Sequence, residues 1–243
     1  GRPSPTRAEV LAPVSAAELD RALCDPPSRG MVARGLGRSY GDAAQRSGGR
    51  VIDLTGWTDV DLDIDTGDCR ARAGTSIDTL LRVLVPRRFF VPVTPGTRFV
   101  TLGGAIAADI HGKNHHRRGS FGSHVSSMVL RTADGQRRTI SPDREPALFW
   151  ATVGGMGLTG VIEEATFRAR PIASSRISVL AERTRNLDES IARLIELDQT
   201  AEYTVAWVDL AATGARAGRS VITSGRFAQP DELPKRWVGS PFA

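Results

Sequence analysis

Two glycine-rich stretches constrain this chain most, because neither can be one regular helix or strand throughout. The first runs Ala33-Arg34-Gly35-Leu36-Gly37-Arg38-Ser39-Tyr40-Gly41-Asp42, directly after the short apolar run Met31-Val32-Ala33. It packs three glycines into seven positions. Glycine adopts positive φ without penalty, so such a loop can turn consecutive backbone N–H groups toward one anion. A pyrophosphate is the natural guest, although for this loop alone a plain turn is as good a reading. The spacing is not that of a Rossmann fingerprint: after Gly35 and Gly37 the third glycine, Gly41, comes one residue late. Nor is it a Walker loop, since the chain's Gly-Lys pair, Gly112-Lys113, runs into Asn114.

The second stretch, from Pro95 to Gly122, decides between those readings. Thr101 is placed to cap a short helix containing Gly103, Gly104, Ala105, Ala107 and Ala108, small residues that let another group approach the backbone closely. A flat ring would lie on such a surface. Just beyond stand His111, Lys113, His115 and His116, which include three of the chain's four histidines. Polar side chains at the rim of an apolar pocket orient ligands, and His111 fits that role best. For His115, His116 and His124 a hydrogen-bonded structural role is the stronger reading. A zinc site is not expected: His111 and His115 are four apart with Gly112 between them, no H-E-x-x-H occurs and no cysteine is near.

These segments, together with Gly154-Gly155-Met156-Gly157-Leu158-Thr159-Gly160-Val161-Ile162, resemble the FAD-binding domain of the vanillyl-alcohol-oxidase superfamily, of PCMH type. Within it, Asp109-Ile110-His111-Gly112-Lys113-Asn114-His115-His116 and Leu148-Phe149-Trp150-Ala151-Thr152-Val153-Gly154-Gly155 look like the decaprenylphosphoryl-β-D-ribose 2′-oxidase family, the flavin subunits of a 2′-epimerase. The resemblance covers nearly the whole chain. It implies oxidation of the 2′-hydroxyl of a polyprenyl-phosphate-linked ribose, with hydride passing to FAD. A separate NADH-dependent reductase would return the keto sugar as the arabinose donor of actinobacterial cell-wall arabinan. In such chemistry the cofactor accepts the hydride and the protein supplies orientation and electrostatics.

By the same resemblance, Ala33, Arg34, Gly35, Leu36, Gly37, Arg38, Ser39, Tyr40 and Gly41 would hold the pyrophosphate end of FAD. Gly96, Thr101, Leu102, Gly103 and Gly104 would line the dinucleotide and ring, with Ala108, Asp109, Ile110, His111 and Ile162 as further contacts. His111, Lys113 and Tyr40 are the expected catalytic set: His111 positions sugar or flavin, Lys113 meets the substrate phosphate and Tyr40 covers the reacting edge. Trp207 matches the family's substrate-domain sheet, and a buried structural aromatic fits it equally. Many relatives carry a loop histidine bonded to the flavin where this chain has Arg38, so non-covalent FAD is expected. Another sugar, alditol or lactone oxidase of the same fold, or a non-catalytic FAD-binding fragment, stays open.

The expected fold class is α+β: a two-subdomain FAD-binding domain over residues 1–174, then the start of an antiparallel-sheet substrate domain over 175–243. Members of the resembled family are nearly twice as long and return from the substrate domain to complete the FAD domain. A lysine and a tyrosine of that returning segment would be missing, which lowers the cofactor affinity and turnover expected of these residues alone.

Strands are expected at 9–14, 31–34, 51–53, 89–91 and 161–167, with hairpins at 60–73 and 128–140. Helices are expected at 16–24, opened by a Ser15/Glu18 capping box, around 77–84, and at 146–153 with Phe149 and Trp150 inward. Past residue 175, a helix carrying Leu187, Ile191, Leu194 and Ile195 lies among three strands.

A net charge of +5 raises the question of nucleic acid, but the arginines are scattered, without an aromatic ladder. They suit an anionic lipid-linked sugar phosphate and membrane head groups. No apolar run reaches the ~18 residues of a membrane span, so lipid contact is expected to be peripheral, in the cytoplasm or periplasm. Cys24 and Cys69 imply no disulfide framework.

Overall fold

The computed structural model describes residues 4–238. Strands β1 (Glu9–Leu11), β2 (Met31–Arg34) and β3 (Arg50–Asp53) form a parallel sheet in the order β1-β3-β2. β1 is shorter than expected, because Pro13 cannot extend the ladder. Helix α1 (Ala16–Leu23) is opened by Ser15, whose Oγ accepts the Glu18 N–H. The Glu18 carboxylate takes the N–H of Val14 rather than that of Ser15, so the reciprocal cap is displaced by one residue.

A second, antiparallel sheet holds the main core. Its strands β4 (Val60–Leu62), β5 (Asp68–Arg72), β7 (Val125–Arg131), β8 (Arg137–Ile140) and β9 (Val161–Arg168) run in the order β4-β5-β9-β7-β8. The short pair β6 (Phe89–Phe90) and β10 (Arg170–Pro171) sits beside it. On the β4–β5 hairpin Asp61 faces Arg70 and the two are ion-paired at 3.3 Å, the wet-side pairing that the alternation implies. Helices α2 (Ile77–Leu84), α3 (Leu102–Ala107) and α5 (Pro146–Thr152) pack on this sheet through Ile77, Leu80, Leu84, Leu102, Ile106 and Phe149, all fully buried. Between α3 and α5 lies one turn of helix, α4 (His115–Arg118). Trp150 does not point inward: it is 51% exposed while Phe149 is buried. Adjacent helical residues point about 100° apart, so one of the pair must leave the core.

The third sheet, β11 (Ile177–Thr184), β12 (Tyr203–Val208) and β13 (Ser220–Phe227), is antiparallel in the order β11-β13-β12. Helix α6 (Leu187–Asp198) lies on it, but Leu187, Ile191 and Ile195 of its apolar stripe are about half exposed, whereas Ser190 and Leu197 are buried. Ser190 bonds to Thr184 and Ser220, so a polar cluster sits under this helix. A short last helix, α7 (Lys235–Val238), follows.

Glu163 of β9 ties the five-stranded sheet to α1 and to the segment after β3. Its carboxylate is 1% exposed and receives Arg131 at 2.9 Å and Arg137 at 3.0 Å, and Arg131 also reaches Asp20 of α1. The Trp57 indole N–H donates to the Glu163 carbonyl at 3.0 Å. Removing one partner strands the others in low dielectric, so Glu163→Gln should cost roughly 2–4 kcal/mol, below the full buried-pair penalty because Arg137 is half exposed. Urea unfolding measures this. The two cysteines supply a second check: Cys24 is exposed, whereas Cys69 is fully buried and burial pushes its thiol up to about 12. A thiolate reagent at mildly alkaline pH should therefore label one thiol in the native protein and two in denaturant.

Candidate active site

A cavity of about 750 Å³ opens between the parallel sheet and the five-stranded sheet, within the range of small-molecule sites. One wall is the end of β2 and the loop after it, from Ala33 to Tyr40, with Ala43, Ala44 and Leu54. The other wall comes from Ala73, the stretch Pro95–Thr97, Val100, Thr101, α3 and its exit, Met156, Gly157, Gly160 and Ile162.

None of the backbone N–H groups from Gly35 to Gly41 donates to another of the described residues. Gly37 and Gly41 have φ of +62° and +76°, the kind of backbone turn by which successive N–H groups can form a concavity suited to an anion. The Arg34 guanidinium lies beneath it: its Nη1 donates to the Ala44 carbonyl, and a Cβ on Gly37 would come within 2.6 Å of its Nη2. Across the cavity Thr101 caps α3, its Oγ1 accepting the Gly104 N–H at 3.2 Å. A Cβ on Gly35 would stand 2.8 Å from Thr101 Cγ2 and closer still to Oγ1. Gly103 in turn lies so near Ala73 that a Cβ would meet the Ala73 Cβ at 2.9 Å. The two walls thus meet through glycine.

Among the sequence-expected site residues, Ala33 to Tyr40, Gly96, Thr101, Gly103, Gly104, Ala108, Ile110, His111 and Ile162 line this cavity. Gly41 adjoins it in the loop. Leu102 is fully buried behind the wall, and Asp109 acts from behind it too, its Oδ1 accepting the Gly122 N–H at 2.9 Å. Lys113 lies outside the lining, exposed to solvent, and its carbonyl accepts the N–H of Thr204 on β12. Tyr40 is fully exposed at the mouth. Leu54 and Ala73 gave no signal in the sequence, being ordinary core types, whereas Ala107 lines the cavity as one of the small residues expected on α3. Met156 and Gly157 stood inside the third glycine segment without being singled out.

The histidines divide by partner. His111 lines the cavity and its ring meets His115 edge-on at 5.5 Å. His116 approaches Asp198 at 3.7 Å and the Ala201 carbonyl at 3.2 Å, and His124 bonds the Arg118 carbonyl at 2.9 Å, with burial lowering its pKa. Among the described residues no group of three or more His, Cys, Asp or Glu side chains could share a metal ion.

Residues 8–141 match the model of a family described as an FAD binding domain. The chain belongs to that family. It is 43% identical over its whole length to the decaprenylphosphoryl-β-D-ribose oxidase of Mycolicibacterium smegmatis, of which it covers 54%. It is 26% identical, over 81% of its length, to a putative D-arabinono-1,4-lactone oxidase of Neurospora crassa, covering 35% of that protein. With cytokinin dehydrogenase 2 of Arabidopsis thaliana it shares 29% identity over 64% of this chain and 32% of the relative. The chain thus spans about half the length, or less, of the curated relatives it matches. The FAD-family cavity fits its cofactor chemically. Unpaired N–H groups and a guanidinium stand where a pyrophosphate needs donors, and an apolar wall of small residues stands where a ring needs a flat face.

Gly35→Ala should drive a methyl into Thr101, disturbing the α3 cap and costing about 1–3 kcal/mol by overpacking. FAD affinity should fall with it. Fluorescence titration alongside thermal melts would record both, and a wild-type melt with wild-type affinity would refute the close approach of the walls.

Proposed function

We propose that this chain is the flavin-binding part of an oxidase that converts the 2′-hydroxyl of polyprenyl-phosphoryl-β-D-ribose to the 2-keto sugar. The observation that carries this reading is the 43% identity, sustained over the whole chain, to an oxidase named for that substrate. The keto product would pass to an NADH-dependent reductase that completes epimerisation to the arabinose donor.

Bound FAD would supply the two-electron acceptor. The N–H groups of Gly35 to Gly41 and the Ser39 hydroxyl would hold its pyrophosphate. Gly96, Thr101, Gly103, Gly104, Ala108, Ile110 and Ile162 would shape the wall for its rings. Leu102 would anchor α3 from the core, and Asp109 would hold the exit of that helix by accepting from Gly122. His111, inside the cavity rim, would orient the sugar, and Tyr40 would cover its mouth. Lys113, exposed beside β12, would meet the phosphate outside the cavity. FAD would be held without a covalent bond, since Arg38 stands where many relatives carry the flavin-bonding histidine.

In this reading residues 1–174 form the two-subdomain, PCMH-type FAD-binding domain, and 175–243 begin an antiparallel substrate domain. Residues 1–3 and 239–243 of these ranges lie outside the described residues. No helix of the described residues is long and apolar enough to cross a membrane. The lipid-linked substrate would be met peripherally at the bilayer surface.

Reconstitution with FAD should give a yellow protein whose visible flavin band bleaches anaerobically on addition of polyprenyl-phosphoryl ribose. Acid precipitation should then leave the flavin in the supernatant. Bleaching by an arabinono-lactone but not by the ribose lipid would overturn the substrate assignment, and flavin retained in the pellet would overturn non-covalent binding.

A further inference from the structure

Five non-glycine residues among those described adopt positive φ: Asp25, Arg88, Asp109, Glu145 and Met156. Four have local explanations. Asp25 turns the chain after α1, Arg88 closes the 3-10 turn Val85–Arg87, Glu145 precedes α5, and Asp109 is stabilised by its carboxylate on Gly122. Met156, at φ +53°, has an unbranched apolar side chain that can form no compensating hydrogen bond. Its own N–H is spent on the Ala107 carbonyl at 2.8 Å, and Gly154 is likewise tied to the Ile106 carbonyl at 3.0 Å. Those two bonds clamp the Gly154–Gly157 turn onto α3, and Gly154 and Gly157 themselves have positive φ. Glycine at position 156 would meet the same backbone geometry without strain.

The strained residue is also the one of the five that lines the cavity, where it remains 38% exposed. Strain that persists against an available relaxed residue marks a place where the side chain serves something other than the fold. A thioether is polarisable and packs well against aromatic rings. We infer that Met156 is a cofactor-binding residue, held in a strained turn so that its side chain forms part of the surface on which the flavin ring system rests. This inference rests on the FAD reading of the cavity and extends it to a residue that neither the glycine pattern nor the family resemblance had singled out.

The test compares unsubstituted protein with Met156→Gly and Met156→Leu, using FAD fluorescence titration and the melting temperature of the FAD-free protein. Met156→Gly should weaken FAD binding about tenfold, the scale of one lost sulfur–ring and apolar contact. Its FAD-free melting temperature should be no lower than that of the unsubstituted chain, because the strain is relieved. Met156→Leu, which restores apolar bulk, should bind within about threefold of the original. Unchanged affinity in Met156→Gly overturns the inference. So does weaker binding accompanied by a lower melting temperature of the FAD-free protein, which would make Met156 a packing residue. Failure of the unsubstituted protein to bind FAD overturns the cofactor reading itself, and this inference falls with it.

Discussion

The contact between Gly35 and Thr101 is the constraint on which the cavity depends. One threonine side chain both caps α3 and fills the space that any side chain at position 35 would need. The donor-rich loop after β2 and the small-residue helix α3 therefore hold a fixed separation, set by hard-sphere contact. Gly103 against Ala73 repeats the arrangement two residues further on, seating α3 beside the end of β5. Because both approaches are backbone-close, the cavity walls can present N–H groups and flat aliphatic surface in place of long side chains.

A second set of contacts ties the rim of the cavity to the third sheet. The chain leaves α3, passes His111, and forms α4. There Arg117 donates to the Asp198 and Gln199 carbonyls, His116 reaches Asp198 and Ala201, and Arg118 approaches Glu202 at 3.8 Å. Glu202 is also paired with Arg170, whose guanidinium lies over the Phe227 ring. The Lys113 carbonyl accepts from Thr204 in the same place. His116 accordingly belongs to a joint between the rim and the third sheet, and His111 alone of the cluster lines the cavity. Glu163 performs a corresponding service on the other side, joining the five-stranded sheet to α1 through Arg131 and Asp20.

Much of this was legible in the sequence wherever the physics is local. Thr101 and Ser15 were recognisable as caps because a helix N-terminus needs an acceptor within three residues, and both perform that role. The hairpin alternation of β4 and β5 was readable because successive strand residues face opposite sides. The glycine loops announced a close approach, although not to which partner. Trp150 was misread because its apolar character was taken for burial, and helical geometry puts its neighbour Phe149 in the core instead. The stripe of Leu187, Ile191 and Ile195 was periodic as expected, yet α6 seats Ser190 and Leu197 on its sheet.

The sequence by itself determined the local devices: the caps, the strand alternation, and the positions where only glycine lets the backbone turn or approach. These depend on residues within a few positions of one another, where spacing and stereochemistry suffice. Only the tertiary structure decided that Leu54, Ala73 and Met156 share a cavity with Gly35, and that Lys113 lies outside it. Such neighbours are brought together by sheet order and helix docking, and nothing in their own side-chain chemistry records which distant segment will stand opposite.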